Sequence, residues 1–243
     1  MMPVPLRFTF DQFRREVDSM RTISRQFMDR GAERVFPDLL EHLDQIRTAG
    51  RTACWDAPLR SPLITQPSRE YEPEGKTAFA VRGEISWTWE ISPLRLKAKP
   101  KAAPDAFEVT GIASAKIQIR KATVENADVL ATWKVELGAV DSPGCYFHSH
   151  IAGDLSVPRI PSLFVTPMAV LEFLLGELFQ DRWAEHVSRD SPDVQFWRST
   201  QLKSLVQVLD WKKNKIQSGV GSPWVALKRA KPEAADGLFG ATK

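Results

Sequence analysis

The chain has 243 residues, 43% apolar and 26% charged, which excludes a disordered tail, a collagenous repeat or a long coiled coil. Its net charge of +3 is too small to mark a nucleic-acid binder by composition alone, and its length allows a sizeable core. Tryptophan stands out, with 8 Trp against 2 Tyr, so the placement of these large rings is the first question. Cys54 and Cys145 are too sparse for a disulfide scaffold, and no CxxC pair is present. The start of the chain has neither a basic stretch nor an apolar run of the signal-peptide kind. The strongly apolar stretch from Met168 to Phe179 contains Glu172 and Glu177 and is too short to span a bilayer. The expectation is a cytoplasmic protein with no membrane partner.

Thr9 and Gln12 have capping-box spacing, with Phe8 and Phe13 placed as a hydrophobic staple. Phe10, Phe13, Val17, Met20 and Phe27 then recur at helical spacing up to Gly31. A second helix over 33–48 carries Val35, Phe36, Leu39, Leu43 and Ile46 and stops before Gly50, giving an N-terminal helical pair over 8–50. Pro58, Pro62, Pro67 and Pro73 predict an irregular connector over 51–76.

The period then changes to two. Phe79, Val81, Ile85, Trp87, Trp89 and Ile91 alternate with polar residues, and the same pattern recurs over 107–120, 129–137 and 145–151. Short connections make these four strands an antiparallel meander within 77–151. Thr166-Pro167 and Ser191-Pro192 each read as an N-cap followed by proline at the first helical position. The first of these helices carries Leu171, Leu174, Leu175, Leu178 and Trp183. The second, ending near Lys213, carries Val194, Trp197, Leu202, Leu205, Val206 and Leu209 as candidate core.

The fold class that follows is α+β: a four-stranded antiparallel meander sheet whose apolar face is covered by the N-terminal helical pair and two C-terminal helices. One domain is expected over 1–215, with the helices over 166–213. A loosely ordered basic tail follows over 216–243, with Trp224 as its docking anchor.

The candidate site is the polar side of the sheet. His148 and His150 are two residues apart on a strand, so both imidazoles share a face and can reach one metal ion. A third ligand would come from Asp154 or from a carboxylate across the sheet, namely Glu136, Glu84 or Glu90, and Tyr146 is placed on the same face. After a glycine, this tripeptide resembles the zinc motif of JAB/MPN-type metallopeptidases. The resemblance stops there, because Val165 stands where that family has its aspartate ligand. Cys145 alternates away from His148, which argues against a Cys–His dyad. No P-loop, nucleophile elbow, dinucleotide fingerprint or HExxH motif is present.

Charge is segregated. Arg95, Lys97, Lys99 and Lys101 concentrate in the loop between the first two long strands, and Lys212 and Lys213 close the last helix. These six residues are the candidates for contact with phosphate or with an acidic partner. With no catalytic constellation in the sequence, the functional expectation is a non-catalytic binding or assembly subunit of a larger intracellular complex, partnered by another protein and needing no cofactor. Two alternatives stand beside it. One is a metal-dependent hydrolase using a divalent ion on His148 and His150. The other is a nucleic-acid or phosphate-contacting protein using the 95–101 loop and the C-terminal helix end.

Overall fold

The computed structural model describes residues 6–57, 63–71, 79–95, 103–122, 129–138, 144–151 and 159–233. Among these residues the elements run β1 (Arg7–Thr9), α1 (Phe10–Ser24), α2 (Ala32–Ala49), β2 (Ala53–Ala57), β3 (Leu63–Ile64), β4 (Val81–Leu94), β5 (Ala106–Lys121), β6 (Val129–Leu137), β7 (Phe147–Ile151), β8 (Ile160–Pro161), α3 (Pro167–Val187), α4 (Pro192–Ser218) and α5 (Pro223–Arg229). The class is α+β, but the antiparallel sheet has eight strands where the sequence predicts four. The order is β2-β4-β5-β6-β7-β8, with β1 paired to β5 and β3 to β4.

The four additional strands are short, with two to five residues each, below the length at which alternation becomes a signal. Two of them lie in the proline-rich connector, which corrects its reading as wholly irregular. Pro58 follows β2 and does not interrupt it, so Ala53–Ala57 can add to the edge of β4. Trp55 in β2 is fully buried and donates its indole N–H to the Leu39 carbonyl at 3.0 Å, fixing α2 to this edge.

Local signals set the helix starts. Thr9 accepts from the Gln12 N–H at 3.1 Å, and Phe8 stacks on Phe13 with ring centroids 4.7 Å apart, which is the staple geometry. The hydroxyls of Thr166, Ser191 and Ser222 cap α3, α4 and α5 in the same way, each followed by proline. α5 starts within the segment expected to be a loose tail. Trp224 on it is exposed.

The helices gather on the sheet face formed by Val81, Ile85, Trp87, Trp89, Ile91, Ala113, Ala115 and Ile117. α3 crosses β4 at Gly83, where a Cβ would come within 2.6 Å of Leu174 Cδ1 and 2.8 Å of Leu178 Cδ1; glycine lets helix and strand approach. Inside α3, Gln180 has φ 33° and ψ −113°, a kink that divides the helix. α4 packs on α1, α3 and α5 and so lies on the outside of the helical layer. Trp197, Val208 and Trp211 face inward from it, with Trp211 edge-on to Phe147 at 5.3 Å.

The opposite sheet face remains polar and partly exposed, carrying Glu84, Thr88, Lys116, Gln118, Lys134 and Glu136. No described helix is long and apolar enough to cross a membrane.

Candidate metal centre and docking face

Antiparallel register decides which carboxylate meets the histidines. β6 and β7 pair Glu136 with His148 and Lys134 with His150. Both imidazoles lean on one oxygen: His148 Nε2 is 3.3 Å, and His150 Nε2 2.9 Å, from Glu136 Oε2. Lys134 Nζ bonds the other oxygen, Oε1. β8 pairs with β7 at His148 and Ser149 and ends there, so His148 is enclosed between two strands while His150 stays partly open.

Glu136, His148 and His150 offer three ligand atoms within 4.8 Å of one another, the one such gathering among the described residues. Both histidines and one carboxylate on a rigid sheet match the donor types that zinc and related ions take. The hydrogen bond with His148 is the main cause that holds the Glu136 carboxyl down at about 2, with Lys134 adding to it against partial burial. An ionised carboxylate only accepts, so both Nε2 atoms carry protons. His148 Nδ1 is buried with no hydrogen-bond partner among the described residues. Burial lowers the His150 pKa, with the Glu136 charge working against it.

The remaining predicted ligands do not join this cluster. Glu84, on β4 and two strands from Glu136, pairs with Arg120 of β5 at 3.5 Å. Glu90 lies over Gly111 at the β4–β5 bulge, where any side chain would collide with its carboxylate. Tyr146 precedes β7, so strand alternation does not govern it. It belongs to the buried core, its ring against Phe147 at 5.0 Å and the Leu6 backbone its hydrogen-bond partner. Asp154 lies outside the described residues.

The predicted basic contact set is also divided. Arg95 is exposed just past β4, and Lys97, Lys99 and Lys101 fall outside the described residues. Lys213 is exposed, whereas Lys212 is buried and donates to the Ser162 carbonyl at 2.6 Å. Lys212 therefore pins α4 to the segment before α3 and faces no external phosphate.

A feature that the sequence reading missed lies on α4. Leu202, Leu205, Val206 and Leu209, expected in the core, are 64%, 40%, 45% and 46% exposed. They follow helical spacing and form one apolar stripe on the outer side of α4. Beside the stripe runs a groove of about 950 Å³ between α4 and the start of α3, with Leu163, Phe164, Phe173, Leu202 and Leu205 in its walls. Glu172 also lines it, its carboxyl pushed up by burial. Below the α3 cap sits a second buried acid, Glu16, raised to about 7 by burial despite a hydrogen bond from Gln12 at 3.1 Å.

The fold and these two surfaces define an α+β protein with an open eight-stranded antiparallel sheet. Comparison with known proteins returns no matching family model, no curated relative and no matching solved structure.

Proposed function

We propose that the protein is a non-catalytic binding or assembly subunit, and that the outer face of α4 with its adjoining groove is where it docks. The observation that carries this reading is the stripe of Leu202, Leu205, Val206 and Leu209. Four large apolar side chains stand on one helix face with nothing described packing over them. Scattered exposed leucines are ordinary, but a contiguous apolar stripe bordering a groove is the surface that interfaces bury. The polar rim of the groove, Gln195, Arg198 and Gln201, suits an interface with an apolar centre. A photo-crosslinking amino acid at Leu205 or Leu209, expressed in the source cell, is expected to give a discrete adduct, with the same probe at Lys116 as control. No adduct above that control overturns the reading.

A second reading is favoured by one specific observation, the convergence of Glu136, His148 and His150: a divalent metal site supporting hydrolysis at an ion-bound water. It ranks second for a physical reason. A metal held at His148 Nε2 would require the ring's N–H at Nδ1, which is buried and has no acceptor among the described residues. Without a metal both Nε2 atoms already have their partner in Glu136. Calorimetric titration with Zn²⁺ at pH 7.5 tests it. One equivalent bound by the wild type and lost in Glu136→Gln supports the site, and no stoichiometric binding removes it.

A further inference from the structure

From the α4 stripe we infer that its occupant is a second copy of this chain, packed antiparallel through α4 about a two-fold axis. This rests on the docking reading above and names its partner. The stripe is self-complementary. A two-fold interface pairs one patch with itself, so every contact must appear twice and fit its own reverse. Placing the axis between residues 205 and 206 sets Leu202 against Leu209 of the partner subunit, while Leu205 and Val206, on opposite flanks of the stripe, meet Leu205 of the partner subunit and Val206 of the partner subunit. The apolar stripe thus covers itself from end to end.

Charge fits the same axis. Lys203 and Asp210 are both exposed and have no hydrogen bond or ion pair among the described residues. They are seven residues apart, so at 100° per residue they share one flank of the stripe to within about 20°. In an antiparallel pair, like flanks meet. Lys203 then stands about 3 Å along the axis from the level of Asp210 of the partner subunit, within the reach of a lysine, and the reciprocal pair forms by symmetry. In a parallel two-fold pairing unlike flanks meet, so Lys203 and Asp210 of the two copies stand on opposite sides of the seam and neither pair forms. The same axis sets Arg198 level with Lys213 of the partner subunit at each end of the seam, a like-charge approach that these two long exposed side chains relieve by turning to water. The groove wall formed by Leu202 and Leu205 continues the same surface, so the partner helix closes part of it.

The test is sedimentation equilibrium of the purified full chain over a concentration series, with thermal melts to confirm that each variant is folded. The wild type is expected to show a reversible monomer–dimer equilibrium, and Leu209→Glu to be a monomer throughout. Lys203→Asp and Asp210→Lys, each alone, place like charges together twice and are expected to weaken the dimer roughly tenfold. Mixed in equal amounts they restore both pairs, and dissociation is expected to return to within a factor of about three of wild type. A wild type that stays monomeric overturns the inference. So does a dimer indifferent to these substitutions, or a mixture that fails to recover. A chain monomeric in isolation that nevertheless crosslinks through Leu205 to a different protein loses the second copy as occupant while the docking reading stands.

Discussion

Glu136 and His148 face each other across the β6–β7 ladder with 3.3 Å between Oε2 and Nε2, and this contact holds the Glu136 carboxyl at about 2. An unfolded glutamate titrates near 4.5, so the ionised form is favoured in the fold. That stabilisation is fully present above about pH 4.5 and is lost as pH falls through about 2. Glu136→Gln is therefore expected to lower stability by ~1–2 kcal/mol at pH 7, after discounting for solvent screening, and by little at pH 2. Urea titrations of both proteins at several pH values check this. A penalty that does not shrink on acidification contradicts it.

Glu16 carries the opposite sign. Its carboxyl is buried and raised to about 7, and Oε2 has no hydrogen-bond partner among the described residues. The native state keeps a proton that the unfolded chain releases near 4.5, so stability falls as pH rises from about 4.5 to about 7 and is flat above. Glu16→Gln removes this slope. Its stability relative to wild type is expected to improve by about 3 kcal/mol between pH 4.5 and pH 8, whatever the constant offset of the amide. Parallel pH–stability curves refute the assignment.

Gly83 marks the closest approach of α3 to the sheet. Gly83→Ala drives a methyl group into Leu174 and Leu178, whose ends must move within a close-packed core. The expected loss is ~1–3 kcal/mol, readable as a lower denaturant midpoint with an unchanged slope. An unchanged midpoint places α3 further from β4 than described.

The two sides of α4 give a direct contrast. Leu202→Gln and Leu209→Gln lie on the exposed stripe and are expected to shift the monomer's stability by no more than about 0.5 kcal/mol. Val208→Ala, at a fully buried position, is expected to cost ~1–3 kcal/mol. Similar costs on both sides place the stripe in the core. Measuring below the dimer's dissociation concentration keeps the comparison clean.

The same contrast shows what the sequence carried and what it did not. Alternation over 81–91 and 107–119 marks β4 and β5 unmistakably, because a long half-buried strand repeats its signal many times. β1, β3 and β8 are two or three residues long and repeat nothing. The four caps at Thr9, Thr166, Ser191 and Ser222 depend on neighbours in the chain, and the first three mark helix starts readable from sequence; Ser222, ahead of Pro223, carries the same signal in a segment read as tail. That His148 and His150 share a face follows from strand parity, but choosing Glu136 over Glu84 or Glu90 requires the inter-strand register. On α4 the helix carries two apolar stripes about 120° apart, Val194–Trp197–Val208–Trp211 and Leu202–Leu205–Val206–Leu209. Periodicity sees both equally. Only the packing of α4 on α1 and α3 decides which of them is covered within one chain.

On the docking reading, the α4 stripe is open in the isolated chain and covered in the working protein. The direct measurement is maleimide labelling of Leu205→Cys and Leu209→Cys, in a background where exposed Cys54 is replaced by serine. Fast labelling in dilute purified protein and strong protection inside the source cell is the result this account requires. Equal labelling rates in both settings contradict it.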